Sequence, residues 1–270
     1  MSIPCKMRPA GLDSLPMGYT RLNFLECTRK QYINTGLKAT GSLKIGLDVM
    51  ATAWDDYVNY IFGSENKNRN VAFSMNYNNA YGTAGTYRYG TQWRYFNYGA
   101  HKLNQRYKYV FDENVVYRDG ELFRFLDWGV MTKEEFTSAR NITLFGSHHD
   151  NSALSITTGK RVFAFSIYDN AAGALLLSYV PVLDPDGTPC MYDTVSGKNF
   201  YNANTTASAT PFIAGMTLGQ ALKLKDLPTK TATLDISLPE GYDSQEEVME
   251  SIRQAEAKGW TFNINTYTPA

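Results

Sequence analysis

From Arg21 onward the chain alternates apolar and polar positions in short bursts. Leu43, Ile45, Leu47 and Val49 are apolar, and Lys44, Gly46 and Asp48 between them are not. Successive side chains of an extended chain point to opposite faces, so a period of two predicts a strand with one face in a core. The same alternation recurs over residues 71–77, 106–111 and 161–168. Shorter apolar runs stand at Leu22 and Phe24, at Tyr32 and Ile33, and over 58–63, 115–118, 121–126, 142–145 and 175–180. Asp119-Gly120 falls between two such runs, and a two-residue hairpin turn favours this dipeptide because its central positions need positive φ. Residues 169–173 supply another turn, and only 132–138 has a helical texture within this body. Many short strands separated by turn residues predict a mainly β fold, a two-sheet antiparallel jelly-roll sandwich over 19–214. Residues 1–18, broken by Pro and Gly and without periodicity, read as an N-terminal arm.

The pattern changes after Ala214. Residues 217–224 are a short helical candidate ending before Pro228, and 231–238 alternate as a strand. Ser244-Gln245-Glu246-Glu247 reads as a capping box opening a helix with Val248, Ile252 and Ala255 on one face. Gly259 stops that helix, and 260–265 read as a closing strand. Strand, helix and strand at this spacing predict a right-handed βαβ unit with parallel strands over 217–270. One such unit has too little core to stand alone, so it should pack on the sandwich or on another subunit.

Composition narrows the function classes. Of 270 residues, 14% are aromatic and Tyr accounts for 19 of them, which suits pleated surfaces and flat recognition of sugars or proteins. Lys plus Arg equals Asp plus Glu at 26 each, with no basic stripe, so nucleic acid is not an expected partner. A net charge of zero gives little colloidal repulsion, in keeping with a homo-oligomer or a larger assembly. No apolar run reaches membrane-spanning length, and the start lacks the apolar stretch of a secretory signal. Synthesis in the cytoplasm is therefore expected. Cys5, Cys27 and Cys190 lack metal-ligand spacing and read as reduced thiols.

Catalytic chemistry finds little support. Glycoside hydrolysis needs two carboxylates flanking the scissile bond, yet Glu121 stands alone on its strand and Asp112-Glu113 sit in a turn. The three His residues, His101, His148 and His149, accompany no nucleophile elbow. Asp184-Pro185-Asp186-Gly187 looks like the start of a calcium loop, but the twelfth position is Val195, and an Asp-held turn explains the same residues. Ca²⁺ held by backbone carbonyls and one Asp stays open. The cluster at 148–151 lacks convergent metal ligands. The better candidates are rings in loops: Trp54 and Tyr57, and Tyr89, Trp93, Arg94, Tyr95 and Asn97 in the ring-dense stretch 87–98. Sugars stack their C–H faces on such rings while neighbouring polar groups hold hydroxyls. The same alternation also describes a strand with its rings in the core or at a subunit contact.

Three blocks carry a resemblance. Leu15-Pro16-Met17-Gly18-Tyr19 runs into Gln31-Tyr32-Ile33-Asn34-Thr35-Gly36; a ring-rich strand occupies 161–169; and 180–193 is followed by Gly197-Lys198-Asn199-Phe200-Tyr201-Asn202. Together they resemble the concanavalin A-like (laminin G-like) sandwich proteins of gut bacteria and their prophages, over residues 15 to about 213. Asn34 stands where that family has Asp, and Cys27-Thr28-Arg29-Lys30 replaces a smaller stretch. The resemblance implies a jelly roll in a virion- or cell-surface-associated protein released by lysis, and it implies no reaction. The expected function is thus non-enzymatic binding of surface glycans or other virion proteins, the alternatives being a purely structural virion component and a glycan-cleaving enzyme.

Overall fold

A computed structural model describes residues 15–54, 58–66, 71–78, 84–96, 101–125, 130–149, 153–206 and 209–269. The alternating runs form two antiparallel sheets packed face to face, the jelly-roll sandwich expected. In the larger sheet, Leu43–Ala51 turns Leu43, Ile45, Leu47 and Val49 inward, and its neighbour Arg106–Asp112 turns Tyr107, Tyr109 and Phe111 inward. The smaller sheet runs in the order Ile33–Thr40, Thr137–Leu144, Val58–Glu65, Ala72–Asn78, Ala84–Gly90, Gln92–Tyr95. Its Phe62 meets Phe111 at 5.0 Å and Phe165 at 6.3 Å between ring centroids, which closes the core. Each such fully buried apolar side chain contributes about 1.5–3 kcal/mol relative to exposure. The buried Tyr87 and Tyr89 hydroxyls donate to Glu113 O and Gly41 O, each at 2.5 Å, so neither ring leaves its polar end unmet.

Local turn chemistry follows the sequence. Asp119 (φ 53°) and Gly120 (φ 88°) both lie in the left-handed region and join Val115–Arg118 to Glu121–Leu122 with Arg118 opposite Glu121. Residues 132–138, in contrast, are not helical. Residues 130–136 are irregular and Thr137–Leu144 is a strand. The Gln92 amide exchanges bonds with Thr132, donating to its carbonyl and accepting from its N–H, each at 2.8 Å. The Glu134 carboxylate accepts from Thr91 N and Thr91 Oγ1, each at 2.8 Å. These tertiary bonds close the side of the sandwich and override the local helix preference of Lys-Glu-Glu.

The strand Thr158–Asp169 is a fork. One edge pairs with Leu43–Ala51, while the other is shared between Phe24–Thr28 and Ala174–Leu183. Ala174–Leu183 carries Thr20–Arg21 and Pro189–Asp193, and the latter pairs with Lys198–Phe200. Phe24–Thr28 pairs with Ile213–Gly215, which pairs in parallel with Ala232–Pro239 and through it with Trp260–Tyr267. The C-terminal βαβ unit therefore continues the larger sheet.

The Glu246–Glu256 helix buries Val248, Ile252 and Ala255, and its Ser251 hydroxyl donates to Ala221 O of the short Leu218–Ala221 helix. The expected capping box at Ser244 is displaced. Gln245 is the N-cap, and the Ser244 hydroxyl donates to Gly241 O in the preceding turn. Trp260 packs the unit on the sandwich: its ring lies against Gly187, while its indole N–H donates to Pro228 O within the unit at 2.8 Å. Among the described residues no helix is long and apolar enough to cross a membrane.

Candidate functional site

The edge strand Gln92–Tyr95 sends alternate residues to opposite faces. Among the described residues it pairs with Ala84–Gly90 alone, placing Trp93 opposite Arg88 and Tyr95 opposite Thr86. Tyr87 and Tyr89 point into the core, so Arg88 and Thr86, and with them Trp93 and Tyr95, stand on the outer face. Trp93 is 52% and Tyr95 46% exposed. Two residues apart on one strand, their Cα atoms lie about 7 Å apart, so the two apolar rings share this face.

Behind the rings lies a polar row that sequence reasoning missed. Ser74 pairs with Arg88 and Asn76 with Thr86, and Ser74, Asn76 and Thr86 are buried. The buried Glu65 carboxylate accepts from Ser74 Oγ at 3.0 Å and faces Arg88 Nε at 3.8 Å. The signal was present in residues 72–76 and 86–90, where polar residues alternate with Phe, Met and Tyr. The exposed rings can stack a sugar face, and Arg88, partly exposed beside them, is the polar group of this row within reach of its hydroxyls.

The other candidates do not join this strip. Tyr89 is a core residue: its hydroxyl serves Gly41 O and Glu134 O, and burial pushes its pKa up to about 12. Arg94 points to the opposite face from Trp93 and donates to Val130 O and Trp93 O, helping to close the sandwich side. Trp54 is half-buried elsewhere, its ring 4.7 Å beneath the Lys160 ammonium and 5.4 Å from His101. Tyr57 and Asn97 lie outside the described residues.

The carboxylates weighed for catalysis hold turns and pairs. Asp112 accepts from Lys44 at 2.9 Å, and Glu113 meets Lys133 at 2.8 Å. Asn170 donates to both carboxylates. Glu121 is exposed at the sheet edge. Asp184 Oδ1 accepts from the N–H of Asp186 and of Thr188, and its Oδ2 accepts from Tyr201 Oη at 2.8 Å, which is a side-chain-held turn. His148 and His149 lie in a short hairpin strand, and residues 150–151 lie outside the described residues.

No family model matches the chain, and no curated protein matches it. Solved structures do show similarity. The Ruminococcus gnavus IT-sialidase CBM40 is 14% identical, with a TM-score of 0.37, covering 54% of this chain and 89% of that one. A native heptameric SAP-like pentraxin from Limulus polyphemus is 10% identical, with a TM-score of 0.37, over 57% of this chain and 77% of its own. Mouse laminin alpha1 chain domains LG4-5 are 10% identical, with a TM-score of 0.39, over 74% of this chain and 48% of theirs.

Proposed function

We propose that the chain is a non-catalytic glycan-binding sandwich whose contact surface is the Trp93 and Tyr95 strip. The observation that carries this reading is the pair of rings held half-exposed on one face of a paired strand, with Arg88 and Thr86 in register beside them. Rings fixed on a strand lose little entropy on contact, so they are suited to recognition. Binding is favoured over cleavage because Glu65, the carboxylate behind the rings, is buried and engaged by Ser74.

A glycan array with the full chain tests this, beside Trp93→Ala/Tyr95→Ala carrying an unchanged circular dichroism spectrum. Specific binding that the double variant loses by about tenfold or more supports the reading. No glycan bound, or equal binding by both proteins, removes it. Release of reducing sugar from a bound glycan would overturn the non-catalytic part.

The same reading keeps a virion- or cell-surface setting, which rests on the sequence resemblance and is tested by whether tail or capsid genes flank this one. It also keeps a homo-oligomer. Among the described residues Trp260–Tyr267 is an edge strand of 8 residues without a charge, an edge at which a second copy can pair. Light scattering tests it, and a monomer at all concentrations would count against it.

A further inference from the structure

On the opposite side of the molecule, the outer face of the larger sheet holds a cleft of about 390 Å³. Its floor is made of small residues brought into register across strands: Gly46 opposite Ser166, Ser166 opposite Ser178, with Ala164 alongside. A register shift between Val162 and Ala164 lets Val162 and Phe165 both face the core and places Phe163 on the outer side, where it walls the cleft. Arg106 lies over that ring, its guanidinium carbon 3.7 Å from the centroid. Two bonds to Asp48, at 2.6 and 2.8 Å, fix it there and offset its charge.

Two more cations line the cleft. Neither Arg21 nor Lys108 has a side-chain hydrogen bond or ion pair among the described residues. Lys108 is exposed, and water can solvate it. Arg21 is half-buried, and burial lowers its pKa because its charge is partly stripped of water with no anion in compensation. A planar donor fork in this lining matches a carboxylate in geometry as well as sign. The serine floor adds groups that can both donate and accept, as sugar hydroxyls require. The volume falls within the range of small-molecule sites.

We infer that this cleft is a second binding site, specific for a carboxylate-bearing sugar, with Arg21 pairing the carboxylate and Ser166 and Ser178 meeting ring hydroxyls. It is independent of the Trp93 strip and stands or falls separately.

Calorimetric titration of the full chain with glucuronate and with glucose tests it. Glucuronate should bind, with glucose weaker by about tenfold or more, and added salt should weaken glucuronate. Arg21→Gln should weaken glucuronate by about tenfold or more, and Arg21→Lys, which keeps the charge and loses the fork, by less. Lys108→Gln, at an exposed position whose side chain makes no hydrogen bond or ion pair among the described residues, should weaken it a few-fold. Trp93→Ala should leave it unchanged. A glucuronate-ended oligosaccharide binding more tightly than glucuronate supports a glycan source, and equal affinity supports the free acid. No glucuronate binding, equal affinity for glucose, indifference to Arg21→Gln and Lys108→Gln, loss in Trp93→Ala, or displacement by acetate at equal affinity would each overturn the proposal.

Discussion

Replacing Gly187 by alanine should break the seam between the C-terminal unit and the sandwich. Gly187 has φ +76°, and a Cβ there would stand 2.5 Å from Trp260 Cη2, 2.8 Å from Cζ2 and 3.2 Å from Leu227 Cδ2. Two costs follow. An L side chain in the left-handed region costs about 1–2 kcal/mol. Forcing a methyl into a packed contact costs a further 1–3 kcal/mol or so, because the indole is tethered to Pro228 O and cannot swing aside freely. Together the loss is about 2–5 kcal/mol. Urea unfolding followed by far-ultraviolet circular dichroism measures it. In a Trp260→Leu background the ring contacts at 2.5 and 2.8 Å are gone and the backbone cost remains with the looser 3.2 Å approach to Leu227, so Gly187→Ala should then cost about 1–2 kcal/mol. A cost below about 1 kcal/mol in the parent, or the same cost in both backgrounds, would refute the docking of Trp260 on this turn.

Other consequences concern the buried polar groups. His101 is 2% exposed, and burial, followed by the Lys160 and Arg118 charges, holds its pKa well below 6.5. The unfolded chain therefore takes up a proton that the folded chain refuses. His101 contributes fully above about pH 6.5, and stability falls by about 1.4 kcal/mol per pH unit below it; His101→Gln should flatten that slope in urea midpoints measured against pH. Lys160 is fully buried and its Nζ donates to Ala53 O at 2.8 Å and Thr158 O at 2.7 Å. Lys160→Met should cost about 2–5 kcal/mol by thermal unfolding, since two carbonyls lose a donor; an unchanged midpoint would contradict this. Cys27 and Cys190 are buried, and burial pushes the Cys27 thiol up to about 12. Iodoacetamide at about pH 8 should leave both unlabelled in the folded chain and label both in urea, as read by peptide mass spectrometry.

Much of the fold was legible because period-two alternation is a local property. Leu43 to Val49 and Tyr107 to Phe111 reveal their inward faces without reference to any partner. Asp119-Gly120 and the strand-helix-strand tail were legible for the same reason: turn type and helix face are written in adjacent residues. What escaped was set by distant contacts. Residues 132–136 lose their helix to bonds with Thr91 and Gln92, some forty positions away in the chain. Around Tyr87, Arg88 and Tyr89 the sequence shows alternation but not its phase. Tyr89 and Arg94 were therefore grouped with Trp93, although the two tyrosines face the core and Arg94 braces the sandwich side. The Arg21 cleft was invisible because it needs the fork at Thr158–Asp169, which joins residues from four remote segments.

Tryptophan side-chain NMR addresses the ring strip most directly. The chain has four tryptophans, hence four indole N–H signals, and Trp93→Phe identifies the one that matters. On titration with a glycan selected from the array, the Trp93 signal should shift most. That of Trp260, whose N–H is committed to Pro228 O, should stay in place. Saturable glycan binding that leaves the Trp93 signal unmoved would contradict the assignment of this surface.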